Sequence, residues 1–245
     1  MAIDTLPQGE AHLWYVHPEP LQDEALLSAY DALLTPEERA RGTRFVPAEA
    51  RHRHLITRAL VRCTLSRYAD LAPDGWRFVE NAWGRPAIDP ACGAPGLRFS
   101  LSHADGLIAC LVGRDVEIGV DVEDTGRRAD YLGVGRRFFS RDEATALEAT
   151  TGDARAERFY QIWTLKESYI KARGIGLALP LAAFTFDLQG ERPTIAFEPP
   201  IEDNPDAWQF SQFRIGRHAV ATAVQSATAV SIRIRETVPL RQPPS

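Results

Sequence analysis

Two stretches of the chain carry residue types that metal-assisted or acid–base chemistry requires, and the first is EIGVDVED (117–124). Apolar residues alternate there with Gly119, Asp121 and Glu123, so in a strand both carboxylates lie on one face. Two neighbouring carboxylates repel each other unless water or a hard cation accepts their charge, and Mg²⁺ typically binds one or two carboxylates together with substrate phosphates. Taken alone, however, the D-x-E spacing favours the solvated outer face of an edge strand.

The second stretch, WTLKESYIKARG (163–174), contains the only two lysines among 28 basic residues. In a helix Trp163, Glu167 and Lys171 share one face, with Lys166 adjacent to it. A stabilising Glu–Lys pair on a solvated surface is the simpler explanation of this spacing alone. The use of lysine in a chain that otherwise uses arginine favours a chemical role, because a lysine can release its proton to a leaving oxygen.

Two further groups of polar residues could bind an anion: a Ser-His pair near the end of a predicted strand, and a set of arginines along the predicted helices of residues 39–67. Ser102 and His103, in LSHADG, are adjacent on a strand, so they point to opposite faces and cannot form a nucleophile–base pair. They fit either a histidine near a turn or a pair that binds phosphate oxygens. Between residues 39 and 67 lie eight arginines and a single carboxylate, Glu49, a segment that can attract an anionic ligand. We expect most of these arginines to be a solvated helix face and two or three to touch ligand.

Composition limits the class of protein. A chain of 245 residues with 44% hydrophobic and 25% charged residues can fold around a substantial core. Its net charge of -5 argues against nucleic acid as a partner. No long apolar run and no signal-like start occur, so we expect a cytoplasmic protein with no membrane partner. The three scattered cysteines fit core positions better than a disulfide framework or a zinc site.

The elements that position these residues follow one order twice. The first half predicts a strand at 12–16, a helix starting at Thr35, a long amphipathic helix over 47–68, and then short strands. The second half predicts the strand 117–123, helices from 131 to about 174, and five more short strands. We therefore predict an α+β fold of two similar lobes with a pseudo-two-fold relation, each a small, mostly antiparallel sheet packed with helices. The predicted boundaries are 1–115, 116–235 and a flexible tail, 236–245.

Taken together, the motifs resemble those of surfactin-synthetase-type 4′-phosphopantetheinyl transferases. The resemblance rests on GVDVE (119–123), FYQIWTLKESYIKARGIGLALPL (159–181), WGRP (83–86), SLSH (100–103) and RRFFSRDE (136–143). It implies transfer of 4′-phosphopantetheine from coenzyme A to a serine of an apo acyl carrier or peptidyl carrier protein, with release of adenosine 3′,5′-bisphosphate. It also implies Mg²⁺, with Mn²⁺ as an alternative, as the cofactor.

The same resemblance assigns roles to individual residues. It implies that Asp121, Glu123 and Glu167 hold the metal, and that Glu167 and Lys171 are catalytic. The positions that it implies for coenzyme A are Arg41, Arg53, Arg85, Ser102, His103, Lys166 and Lys171. Arg85 and Arg41 stand where relatives often have lysine, and so does Glu38, which makes one phosphate contact of the family doubtful here.

The carrier is expected to dock on the segment 126–140, which combines four arginines with aromatic residues, and at least one of Phe138 and Phe139 is expected to pack inward. We predict that the enzyme is a monomer. Two other functions remain open from the residues alone. One is a Mg²⁺-dependent nuclease or phosphohydrolase, which the absence of an E-x-K after Asp121 disfavours. The other is a carrier-binding or coenzyme-A-binding module without activity, which the presence of all three carboxylates and Lys171 disfavours.

Overall fold

A computed structural model describes residues 4–241 and consists of two lobes, each a small sheet packed with helices. The elements of the first half are β1 (Glu10–Val16), α1 (Glu24–Leu33), α2 (Pro36–Thr43), α3 (Ala48–Leu65), β2 (Phe78–Glu80), β3 (Pro86–Ile88), β4 (Leu97–Ala104) and β5 (Leu107–Arg114). Those of the second half are β6 (Glu117–Asp124), α4 (Tyr131–Phe138), α5 (Arg141–Glu148), α6 (Gly152–Arg173), β7 (Phe184–Asp187), β8 (Thr194–Phe197), β9 (Trp208–Ile215), β10 (His218–Gln225) and β11 (Ser231–Glu236).

The N-terminal lobe is a four-stranded sheet, in the order β11-β1-β5-β4, covered by helix α3. Apolar residues at helical spacing, among them Ile56 and Leu60, are fully buried against the sheet. The helix predicted to start at Thr35 is confirmed as α2, and its start is a capping box. There the Thr35 hydroxyl accepts the Glu38 N–H, while the Glu38 carboxylate accepts the Thr35 N–H.

The last strand of the chain returns to the first lobe. Strand β11 pairs in parallel with β1, with Leu13 opposite Ile234. After it, the Thr237 N–H donates to the Tyr15 carbonyl, and the Tyr30 hydroxyl donates to the Pro239 carbonyl. The predicted tail, 236–245, thus begins in contact with the N-terminal lobe, and its residues 242–245 lie outside the described part. The domain boundaries stay a prediction.

The C-terminal lobe is a three-stranded antiparallel sheet, β6-β10-β9, with the long helix α6 packed across it. The approach of α6 to β6 is very close at Gly119: a Cβ there would lie 1.9 Å from the Ser168 carbonyl oxygen and 2.6 Å from the Ala172 nitrogen. Only glycine fits, because both neighbours are backbone atoms of the helix. Gly119 therefore determines how near the acidic strand lies to the helix of Glu167 and Lys171.

The predicted fold class, α+β with two lobes of small sheets and helices, is confirmed. Of the helices in residues 4–241, none is both long and apolar enough to cross a membrane.

Candidate active site

The acidic face of β6 is covered by helix α6 and is not a solvated edge. Ile118, Val120 and Val122 pack into the apolar core on one side of the strand. On the other side the side chain of Asp121, 4% exposed, accepts hydrogen bonds at Oδ1 from Lys171 Nζ (2.6 Å) and from the Ser102 hydroxyl (3.0 Å). Its second oxygen, Oδ2, is buried and has no hydrogen-bond partner within residues 4–241. One oxygen of this carboxylate therefore accepts two hydrogen bonds, and the other accepts none within the described residues.

Glu123 lies on the same face and is held by the helix. The Trp163 indole N–H donates to Glu123 Oε1 at 3.0 Å. Burial, and then the charge of Asp121, raises the pKa of Glu123 to about 7, against the lowering effects of the Trp163 hydrogen bond and of Lys171. Burial of the ionised form is costly here, which is the condition that a bound cation would relieve.

Glu167 and Lys171 reach the same region from one face of α6. Both line a cleft of about 290 Å³ whose other wall comes from the N-terminal lobe, including Arg85 and Ser100. Burial, and then the charge of Asp121, raises the pKa of Glu167 above its usual value. The sequence suggested that Lys171 pairs with Glu167 one turn earlier. The ammonium instead contacts Asp121 and, at 2.8 Å, the Ser102 hydroxyl.

Ser102 and His103 point to opposite faces of β4, as predicted. Ser102 is 7% exposed and is the shared partner of Asp121 and Lys171. His103 is on the exposed face, where loss of hydration and then the nearby charges of Arg53 and Lys171 lower the pKa of its imidazole. Arg53 itself pairs with Asp105 at 3.0 Å.

The remaining predicted coenzyme A residues are held differently. Arg85 lines the cleft, yet its guanidinium donates to the Glu117 carboxylate (2.8 Å) and to the Ala172 carbonyl (2.7 Å), which ties the N-terminal lobe to the end of α6. Arg41 is exposed and pairs with Glu80 at 3.1 Å. It lies at the end of α2, and no hydrogen bond of the described part joins it to Asp121, Glu123 or Glu167.

Glu38 explains why two arginines of the segment 39–67 lie close together on α3. Its carboxylate pairs with Arg58 and, at 2.6 Å, with Arg62, which is itself completely buried. Arg51, in α3, donates to the carbonyls of Phe45 and Val46 just before that helix, and Arg39 pairs with Asp31. Arg58 and Arg62 are therefore ion-pair partners of Glu38 and not part of a solvated helix face, and the expectation that only two or three arginines of the segment touch ligand stays a prediction.

The predicted contact of Lys166 with coenzyme A is wrong in this structure. Lys166 is 0% exposed, and its ammonium pairs with Glu143 Oε2 at 2.7 Å while donating to the carbonyls of Leu181 (2.8 Å) and Phe184 (2.5 Å). The physical reason is tertiary packing: α5 and β7 cover position 166 of α6 and supply a carboxylate and a carbonyl to its ammonium. Lys166 joins α6 to the start of α5 and to β7, and it has a structural role.

Three residues of the site were given no role by the sequence. Trp163 was recognised only as part of a motif, although it holds Glu123. Asn81 donates to the Gly174 carbonyl at 2.7 Å and accepts the backbone N–H groups of Trp83 and Arg85, which fixes the WGRP turn at the cleft. Ser100 is buried and lines the cleft. The S-x-S alternation in SLSH, which places Ser100 and Ser102 on one face, was the available signal for this last residue.

Asp121, Glu123 and Glu167 offer the oxygen ligands that a hard divalent cation such as Mg²⁺ prefers, but their side chains are not arranged as a ready metal site. Over residues 4–241, no three or more His, Cys, Asp or Glu side chains come together closely enough to form a ready metal site. The unpartnered Asp121 Oδ2 and the raised pKa values of Glu123 and Glu167 nevertheless mark an oxygen-rich, negatively charged place that a cation would stabilise. Magnesium binding by these three residues stays a prediction.

The segment 126–140, where the carrier is expected to dock, contacts α6 through aromatic packing. Phe139 is 3% exposed and packs against Phe159 and Trp163, while Phe138 is half-buried, so the expectation that at least one phenylalanine packs inward is confirmed. Arg127, Arg128, Arg136 and Arg137 are exposed.

Comparison with known proteins identifies the family. A model of the 4′-phosphopantetheinyl transferase superfamily matches residues 117–223, the region that contains both β6 and α6. The chain is 34% identical over 175 residues to the 4′-phosphopantetheinyl transferase HetI of Nostoc sp., covering 71% of this chain and 73% of that protein. It is 33% identical over 174 residues to the 4′-phosphopantetheinyl transferase Sfp of Bacillus subtilis, covering 71% and 75%. The chain therefore belongs to the 4′-phosphopantetheinyl transferase superfamily and is an enzyme of that class, as the motifs indicated.

Proposed function

We propose that this enzyme transfers the 4′-phosphopantetheine group of coenzyme A to a serine hydroxyl of an apo acyl carrier or peptidyl carrier protein and releases adenosine 3′,5′-bisphosphate. The observation that carries the proposal is the arrangement of Asp121. Its Oδ1 accepts hydrogen bonds from Lys171 and Ser102, while its Oδ2 is buried and has no hydrogen-bond partner in the described residues. Burial, and then the charge of Asp121, raises the pKa values of Glu123 and Glu167 beside it.

The reaction exchanges one phosphorus–oxygen bond for another. The carrier serine oxygen bonds to the phosphorus that carries the pantetheine arm, the bond from that phosphorus to the bridging diphosphate oxygen breaks, and the serine proton leaves. Asp121, Glu123 and Glu167 would hold Mg²⁺, or Mn²⁺, which when bound neutralises the diphosphate and stabilises charge in the transition state.

Two side chains of the cleft suit the proton movements. Glu167 faces the cleft and would receive the serine proton directly or through water, or, because a metal-bound carboxylate is a poorer base, would position the group that takes that proton. The Lys171 ammonium, already in the cleft and 29% exposed, can turn from Asp121 to the departing phosphate and supply charge or a proton.

Coenzyme A is expected to lie along the wall formed by the N-terminal lobe. Arg53 and His103 offer donors to phosphate oxygens, and Arg85 and the WGRP turn form the cleft side. The acidic carrier is expected to dock on segment 126–140, whose exposed arginines complement its charge. The monomeric state, the cytoplasmic location, and the absence of nucleic-acid and membrane partners stay predictions.

Intact mass spectrometry of the carrier tests the proposal. The enzyme is incubated with an apo carrier, coenzyme A and Mg²⁺, and the expected result is a phosphopantetheine adduct on the carrier. Asp121→Asn keeps the side-chain size and should abolish the adduct, whereas Asp31→Asn, at an exposed aspartate paired with Arg39, should not. No adduct on any of several acyl and peptidyl carriers would reject the transferase, and full activity of Asp121→Asn would reject the assigned site.

A further inference from the structure

The two sheets meet along an unusual boundary, where side chains replace a backbone ladder. Strand β4 is an edge strand of the N-terminal sheet and, among residues 4–241, pairs only with β5 there. Strand β6 is an edge strand of the C-terminal sheet and, in the same described part, pairs only with β10 there. Between β4 and β6 the Val120 N–H donates to the Ser100 hydroxyl (3.1 Å) and the Val122 N–H donates to the Ser102 hydroxyl (3.2 Å).

The two amide groups stand on either side of Asp121. Val120 and Val122 are 0% and 2% exposed, and the two serines are 7% exposed each. A buried N–H needs an acceptor, so each serine hydroxyl satisfies a group that the edge of β6 would otherwise leave unpaired. The backbone on both sides of Asp121 is thereby attached to the opposite lobe.

The two serines differ in what else they touch. Ser102 also contacts the Asp121 carboxylate and Lys171, so it belongs to the chemistry of the site. Ser100 binds the Val120 N–H and lines the cleft beside Glu167 and Lys171. Its hydroxyl takes the place that a backbone carbonyl of a paired strand would occupy in front of the Val120 N–H.

We propose that Ser100 is a positioning residue of the active site: it attaches the backbone before Asp121 to the N-terminal lobe and so fixes the metal-binding carboxylate relative to the cleft wall. The inference rests on the proposed function, because its consequence is measured at the metal. It assigns to Ser100 an effect on metal affinity that is separate from its effect on stability.

A matched pair of serine variants separates these two effects. Ser100→Ala leaves the Val120 N–H without its acceptor, whereas Ser66→Ala leaves another buried donor, the Trp76 indole N–H (2.8 Å), without its acceptor in the N-terminal core. Ser100→Thr retains the hydroxyl and serves as the conservative variant. Mn²⁺ binding by the full chain without coenzyme A is measured by calorimetry, and protection of the Val120 amide by hydrogen exchange.

Ser100→Ala is expected to weaken Mn²⁺ binding about 10-fold, as outer partners of metal ligands do, and to lower protection at Val120. Ser66→Ala should unfold more easily but bind Mn²⁺ as the wild type does, and Ser100→Thr should restore binding. Wild-type Mn²⁺ affinity in folded Ser100→Ala would overturn the inference while leaving the transferase intact. A wild-type chain that neither binds Mn²⁺ nor modifies a carrier would overturn the proposed function, and this inference with it.

Discussion

The raised pKa of Glu123 predicts that this enzyme, without metal, becomes less stable as the pH rises. Burial and the charge of Asp121 raise the pKa of Glu123 from 4.5 to about 7. The folded protein therefore holds the proton of Glu123 more tightly than the unfolded chain does between these two values. This contribution to stability is fully present below about pH 4.5 and is lost as the pH rises through about 7.

The size of the effect follows from the same values. Each pKa unit corresponds to about 1.4 kcal/mol, so a rise from 4.5 to about 7 destabilises the ionised form in the folded protein by about 3 kcal/mol. Glu123 is only partly buried, and solvent screening reduces the expected effect to about 1–2 kcal/mol. Glu123→Gln removes the charge and keeps the oxygen that accepts the Trp163 N–H. The variant should therefore be more stable than the wild type by about 1–2 kcal/mol at alkaline pH.

Urea unfolding in the presence of a chelator, at about pH 5.5 and about pH 8.5, measures the prediction. Glu123→Gln should exceed the wild type by a clearly larger margin near the higher pH than near the lower one, because only part of the wild-type loss has developed at about pH 5.5. Glu157→Gln, at a side chain of α6 that is 58% exposed, is the control and should change the free energy of unfolding little at either pH. Adding Mg²⁺ should stabilise the wild type more than Glu123→Gln. A Glu123→Gln variant that is no more stable than the wild type at the higher pH would refute the cost assigned to the buried, ionised Glu123 beside Asp121.

Three further outcomes are expected. Gly119→Ala should lower the free energy of unfolding by about 3 kcal/mol or more and nearly abolish transfer, because its Cβ would overlap the Ser168 carbonyl oxygen. Urea unfolding measures the stability and carrier mass spectra measure the transfer. Normal stability would contradict the close approach of β6 to α6. Lys171→Met should slow transfer about 100-fold, because the group that assists the departing phosphate is lost. It should also strengthen Mn²⁺ binding without coenzyme A about fivefold, because the ammonium no longer competes with the metal for Asp121. Weaker metal binding in calorimetry would argue against that competition. Lys166→Met should lower the free energy of unfolding, measured in urea, by about 3–5 kcal/mol, because it leaves the Glu143 carboxylate buried and unpaired. The KM of the folded variant for coenzyme A should stay near the wild-type value. A large rise in that KM would indicate that Lys166 contacts coenzyme A after all.

Local patterns in the sequence determined the elements and the family. The alternation in β6 placed Ile118, Val120 and Val122 on the apolar side and the carboxylates on the other, as observed. The Thr35-Pro36-Glu37-Glu38 start predicted α2, because a capping box depends only on residues three apart. Two specific motifs in one chain predicted a phosphopantetheinyl transferase. All of these properties depend on nearest neighbours or on motif spacing, which a sequence contains.

The tertiary structure decided which polar groups face one another. Helical spacing relates Lys166 to Lys171, but helix α6 is buried on several sides, so its phase alone does not tell which lysine faces the cleft. The packing directs Lys171 to Asp121 and Lys166 to Glu143, and it pairs Glu38 with Arg58 and Arg62. Likewise, no local pattern states that β4 and β6 meet through serine hydroxyls. Such contacts join residues that are distant in the chain. They form only when the folded chain buries charges and amide groups together, because a buried polar group without a partner is costly.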